Sequence, residues 1–188
     1  MAANAQRKRR IAVLGSKSVG KSSLTMRFTQ NTFSEMYVPT IEDTLSKEVT
    51  FRGQRYVLEI TDTAGQESGS PASSAQTLNV DGWVLVFSTA NRKSFEYLRT
   101  VRNCLLESTG HRTLPMVLVG NKVDLAANDR TVGSDEVTRL AQEWQCPAVL
   151  TSAKTNQNVQ EVFDKCLYEV EKLNGNIKQE RNCCISVG

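Results

Sequence analysis

The chain has 188 residues, with 23 lysines and arginines against 20 aspartates and glutamates, a formal net charge of +3. That surplus is too small to imply nucleic-acid binding, while the length and 39% hydrophobic content suit one domain with its own core. No segment reads as a secretory leader or a membrane span, and five cysteines without a C-x-x-C pair, beside a single histidine, argue against zinc and for a reducing cytoplasm.

Arg7-Lys8-Arg9-Arg10 is the one dense basic run. It abuts Ile11-Ala12-Val13-Leu14, an apolar stretch that reads as a buried strand. The run therefore reads as the solvated start of that strand, with anionic lipid as a candidate neighbour. Next comes Gly15-Ser16-Lys17-Ser18-Val19-Gly20-Lys21-Ser22, a complete G-x-x-x-x-G-K-S phosphate loop, and Leu24 and Phe28 continue it as a helix. Backbone N–H groups of such a loop, with the positive end of the following helix, cradle the oxygens of a di- or triphosphate. Gly15 and Gly20 let the main chain turn tightly against the phosphates. Lys21 is placed for the β- and γ-phosphates, and the Ser22 hydroxyl for Mg²⁺.

Tyr37-Val38-Pro39-Thr40-Ile41-Glu42-Asp43 forms a polar connection, in which Thr40 offers its side chain to Mg²⁺ and its N–H to the γ-phosphate. Leu45 to Phe51 alternates as a half-exposed edge strand does, and Gly53 turns the chain back into residues 55–61, which predicts an antiparallel hairpin. At the end of that second strand stands Asp62-Thr63-Ala64-Gly65-Gln66. A carboxylate there, opposite the phosphate loop, suits Mg²⁺ held through a water. The Gly65 N–H can bond the γ-phosphate, and Gln66 can orient the attacking water. Glu67 to Ser74 is built of small residues with Gly69 and Pro71, which disfavours a stable helix.

Leu98, Val101 and Leu105 mark a helix. The apolar Pro115 to Gly120 then reads as a buried strand carrying Asn121-Lys122-Val123-Asp124 at its carboxyl end, where ligands of open α/β sheets collect. Asp124 can accept from the N1–H and exocyclic amino group of guanine, whereas adenine would face it with an acceptor and is rejected. The Lys122 stem can lie along the base, and Asn121 can tie this loop to the phosphate loop. Val137, Leu140, Ala141 and Trp144 mark another helix. Ala148-Val149-Leu150 then leads into Thr151-Ser152-Ala153-Lys154, whose backbone is placed for the guanine O6. A last helix carries Val159, Val162, Phe163, Cys166 and Val170, with Asn158 and Glu161 as a capping box. The tail ends in Cys183-Cys184-Ile185-Ser186-Val187-Gly188. Cys184 is fifth from the end, so the C-a-a-X rule fails by one residue. Both cysteines remain candidates for lipidation and the tail for membrane attachment.

Strand-like and helix-like stretches alternate, which argues for an α/β fold. The five loop motifs, in this order and spacing, resemble the small GTPases of the Ras family over residues 9–172. Lys17 with Ser18-Val19-Gly20-Lys21-Ser22-Ser23 most resembles the Rheb branch, whose members place an arginine where the wider family has a small residue. The resemblance implies a single P-loop GTPase domain: a mostly parallel six-stranded sheet, one antiparallel edge hairpin, and helices on both faces. Residues 1–8 would be an extension and 173–188 a flexible tail. It implies a monomeric GTP/GDP switch with Mg²⁺ that hydrolyses GTP slowly, with Gln66, Lys21 and Thr40 as its catalytic groups. Thr40 and Gly65 would sense the γ-phosphate. Ser16 to Ser23 and Tyr37 would line the nucleotide, and Phe33 would stack on guanine. Tyr37 to Asp43 would bind effector proteins, and an exchange factor and an activating protein would act on the switch. A GTP-bound scaffold with negligible hydrolysis is the alternative, raised by Lys17 and by residues 67–74. Retention of Gln66, Thr40 and both Mg²⁺ ligands favours hydrolysis. An ATPase or nucleoside kinase lacks an acceptor-substrate lid, and Asp124 opposes adenine.

Overall fold

Apolar runs and amphipathic stretches alternate into six strands and four helices in a computed structural model, which describes residues 6–34, 42–63 and 79–177. In chain order these are β1 (Arg7–Leu14), α1 (Lys21–Gln30), β2 (Glu42–Phe51), β3 (Gln54–Thr63), β4 (Gly82–Ser88), α2 (Arg92–Thr109), β5 (Met116–Asn121), α3 (Ser134–Trp144), β6 (Ala148–Leu150) and α4 (Val159–Leu173). The sheet runs β2-β3-β1-β4-β5-β6, parallel throughout except for the β2–β3 hairpin. This is the α/β fold expected from the sequence. Strand order switches sides at β1, which lies between β3 and β4, so a ligand crevice opens at the carboxyl ends of these strands. No helix among the described residues is long and apolar enough to cross a membrane.

Strand alternation sorts the core into two layers. Ile11 and Val13 of β1 join Leu58, Ile60, Val84 and Val117 under α1 and α4, where the Phe28 and Phe163 rings stack at 3.9 Å. Ala12 and Leu14 face the other way, with Leu85, Phe87 and Leu118, under α2 and α3. All of β4 is buried, as a central strand of a doubly covered sheet must be. α4 lies so close to it that a Cβ on Gly82 would sit 2.6 Å from Val170 Cγ2.

Three local features differ from the sequence reading or extend it. The hairpin strands are longer than predicted, because polar pairs such as Thr44–Thr61 and Asp43–Asp62 continue the ladder where hydrophobic alternation has stopped. The capping box at α4 does not form. Asn158 sits in the left-handed region at φ 55° with no side-chain cap bond, and its Nδ2 donates instead to Leu150 O at 2.9 Å. The basic run is strand, and β1 begins inside the segment expected as an extension. Alternation splits its cations between two carboxylates: Lys8 and Arg10 flank Glu59 at 2.6 and 3.4 Å, and Arg9 and Arg7 reach Glu171 at 2.6 and 3.4 Å.

Glu171 is 1% exposed and also accepts from Asn176 Nδ2 at 2.7 Å, so it fastens the end of α4 to β1. Without Glu171, Arg9, whose side chain is only 19% exposed, loses its carboxylate, and the Asn176 amide loses its acceptor. Glu171→Ala is therefore expected to cost about 3 kcal/mol in denaturant unfolding. A loss below about 1 kcal/mol would mark the cluster as an ordinary surface pair.

Candidate functional site

The phosphate loop closes between β1 and α1 by backbone requirements that only glycine meets. A Cβ on Gly15 would lie 2.1 Å from Val86 O, and one on Gly20, whose φ is 96°, would lie 2.3 Å from Asn121 Nδ2. Lys21 folds back over the loop, donating to Gly15 O at 3.2 Å and Ser16 O at 3.0 Å. It is only 5% exposed. Burial pulls its amine down to about 8, partly opposed by the negative charge of Asp62. Asp62 is itself buried, and stands in register with Val13 at the base of the loop. Its neighbour Thr63 donates from Oγ1 to Val13 O at 2.8 Å. α1 has no acidic residue in its first turn, so its positive end, Lys21 and the loop amides share one field favourable to an anion. Ser22 and Ser23 stand in that first turn, and Lys17 and Ser18 are exposed at the loop tip.

At the end of β5 the buried Asn121 side chain joins three loops. Its Nδ2 donates to Val19 O at 2.9 Å, and its Oδ1 accepts from Thr151 Oγ1 and from the Ala153 N–H, each at 3.2 Å. Lys122 follows at φ 72°, with its carbonyl held by Thr89 Oγ1 at 3.2 Å. Asp124 reaches solvent, but one carboxylate oxygen accepts from Ser152 Oγ at 2.6 Å, which fixes how the group is turned. Ser152 is buried, and its loop is closed by paired backbone bonds with Gln157 at 3.2 and 2.9 Å. Phe33 is half-buried beyond α1, with the Arg27 guanidinium carbon 5.7 Å from its ring centre.

The structure thus brings residues 15–23, Asp62, 121–124 and 151–154 to one end of the sheet. Asp43 is exposed on β2, which also includes Glu42. Tyr37, Val38, Pro39, Thr40, Ile41, Gly65, Gln66, segment 67–74, Cys183 and Cys184 lie outside the described residues. Sequence reasoning missed four braces. Thr63 and Thr89 are ordinary strand-end threonines. Arg130 holds the 121–124 turn from behind, donating to Val123 O and, at 3.1 Å, to Leu125 O. Arg27 donates to Ala153 O at 2.9 Å. No spacing rule marks either arginine, since each bonds to carbonyls that any residue could supply.

A separate groove of about 470 Å³, lined by Thr138, Ala141, Gln142, Cys146 and Glu169 among others, lies against α3 and α4. Burial raises its Cys146 thiol to about 11, so little thiolate is present at neutral pH. It offers no chemistry to rival the loops.

The model of the Ras family matches residues 10–172. Among relatives, "GTP-binding protein rhb1" of Schizosaccharomyces pombe is 46% identical over 87% of this chain and 88% of its own length. "GTP-binding protein Rheb" of Homo sapiens is 40% identical over 94% and 95%, and "GTP-binding protein Rheb homolog" of Dictyostelium discoideum is 42% identical over 89% and 90%. With a matching family model across nearly all of the described sheet, and Rheb proteins similar over most of both chains, the chain belongs to the Ras family, in its Rheb branch.

Proposed function

We infer that residues 15–23, 121–124 and 151–154 form the guanine-nucleotide pocket of this GTPase, a signalling switch that hydrolyses GTP. The observation that carries the reading is the Asn121 amide, which locks the phosphate loop and both base loops into one unit. Phosphate oxygens lie on the loop amides and Lys21. Guanine is read by Asp124, turned by Ser152, with Phe33 on the face of the base and the backbone of Ser152 to Lys154 near O6. Nothing in the relatives favours a non-hydrolysing scaffold.

The site fits Mg²⁺. A hydroxyl at Ser22 and a buried carboxylate at Asp62 form an all-oxygen donor set beside the phosphate site, as a hard cation requires. Ser22 would hold the ion directly and Asp62 through water, with Thr40 joining in the triphosphate state. Held there, Mg²⁺ would supply neutralisation of the phosphate charge. Gln66 orients the attacking water, and Lys21 steadies the γ-phosphate oxygens. Thr40 and Gly65 follow that group in or out, so the Tyr37–Asp43 segment presents effectors with a surface that depends on nucleotide state. An exchange factor and an activating protein set the ratio of states. Cys183 and Cys184 are the residues through which a lipid would place the switch on a membrane.

The reading is tested by two substitutions that should part. Ser22→Asn is expected to weaken GTP binding by at least about tenfold, and more than GDP binding. Thr40→Ala is expected to leave GDP affinity within about twofold while abolishing effector binding. Equal loss of both nucleotides in the two variants would sink the switch mechanism.

Lys21 gives the pocket a pH dependence. The amine titrates near pH 8 in the free site, and a phosphate beside it favours the ammonium, so the bound state holds the proton more tightly. Above pH 8 binding therefore takes up a proton, and affinity is expected to fall by up to about tenfold per pH unit. Below pH 8 the Lys21 contribution is flat. Calorimetry in buffers of different ionisation enthalpy measures the uptake, and zero uptake at about pH 9 would contradict it.

A further inference from the structure

We propose that Arg27 is a positioning residue for the guanine base, holding the 153–154 carbonyls and the Phe33 ring in the arrangement that retains nucleotide. The proposal rests on the pocket reading above. Each guanidinium nitrogen of Arg27 has its own carbonyl: Nε donates to Ala153 O at 2.9 Å, Nη2 to Lys154 O at 3.1 Å, and Nη1 to Asn31 O at 3.0 Å. Its carbon stands 5.7 Å from the centre of the Phe33 ring.

The Ala153 peptide is held from both sides, because its N–H is already given to Asn121 Oδ1 at 3.2 Å. Asn121 therefore fixes the loop from the phosphate side and Arg27 from the far side. A planar, permanently charged fork is suited to this work, since it bridges several carbonyls at once and can stack near an aromatic ring. The position suits the charge as well. Arg27 lies in the last turn of α1, where carbonyls accumulate and a cation is stabilised, and Asn31 closes that end at φ 56°. One helix thus begins at the phosphates, with Lys21 and Ser22, and ends at the base loop, with Arg27. Its rigidity sets the distance between the two halves of the site.

Loss of the fork frees the Ala153 and Lys154 carbonyls and removes the cation beside Phe33. Nucleotide then leaves faster, whereas the reacting γ-phosphate, at the other end of α1, loses no contact. The test compares release of fluorescent GDP in Mg²⁺ from the parent, Arg27→Ala, Arg27→Lys and Asp124→Asn. Single-turnover hydrolysis of preloaded GTP and thermal unfolding of the GDP-loaded proteins are measured in parallel. Arg27→Ala is expected to release GDP about tenfold faster, since hydrogen bonds from an ionised donor are the strong ones. Hydrolysis of GTP already bound should not follow that change. Arg27→Lys should recover only part of the retention, because an ammonium does not span three carbonyls. It also serves as the measured variant if Arg27→Ala does not fold, with release still at least about threefold faster than the parent.

Release from Arg27→Ala within about twofold of the parent overturns the proposal. So does a change in which hydrolysis and release move together with a collapsed unfolding temperature, because that is a purely structural role. Failure of the pocket reading shows separately: Asp124→Asn would then retain GDP as the parent does.

Discussion

Asp124→Asn is expected to move base preference from GTP toward XTP by roughly 10⁴-fold, the scale on which sites built to hydrogen-bond a substrate reject an analogue that leaves their polar groups unpaired. The carboxylate in place now can only accept. One oxygen is occupied by Ser152 Oγ at 2.6 Å, and the group faces solvent at the mouth of the pocket, where the N1–H and amino group of guanine would meet it. An amide at the same place puts a donor against that amino group, and desolvating two facing donors is costly. Xanthine carries a carbonyl there and restores the match. Because Ser152 can also donate to an amide oxygen, the loop geometry should survive the substitution. Measured GDP and XDP release rates decide the matter. A variant that still prefers GTP by more than about tenfold would remove Asp124 from base recognition.

The parts of this site that can be read in the sequence are those whose chemistry demands particular residues at fixed spacing. Gly15 and Gly20 are legible because a Cβ at either would run into Val86 O or Asn121 Nδ2, so the loop tolerates nothing else. The fold class is legible for a similar reason, since strands buried on both faces must be continuous apolar runs, as β5 is. What the sequence hides is made of interchangeable partners at long range. Arg27 meets carbonyls 126 and 127 residues away, and a carbonyl carries no side-chain signature. The same holds for the four cations of β1: their sum suggests an exposed basic patch, yet Glu59 and Glu171 take them up in pairs. The Asn158 cap fails for a local reason. Its left-handed backbone turns the side chain toward Leu150 O rather than toward the helix, and an Asn-x-x-Glu pattern does not encode φ.

Lys17→Gly is expected to raise intrinsic GTP hydrolysis about tenfold and to admit stimulation by an arginine finger, whose usual worth is of order 10³- to 10⁵-fold. Lys17 is exposed at the tip of the phosphate loop, two residues past Gly15, and its side chain is expected to stand where such a finger would meet the γ-phosphate. A cation there would attract the phosphate in the ground state as much as in the transition state. Uniform binding of that kind tightens GTP without lowering the barrier. On the proposed mechanism Lys17 would also fill the space the finger needs and crowd the attacking water. The parent should consequently hold a large resting fraction of GTP and rely on an activating protein that supplies some group other than arginine. Lys17→Gly separates the contributions, since it removes the side chain but keeps the loop amides and Lys21. A faster single-turnover rate in the variant supports crowding. An unchanged rate, with ordinary arginine-finger stimulation of the parent, would show that the Lys17 side chain stays in solvent throughout the reaction and that the slow step lies elsewhere.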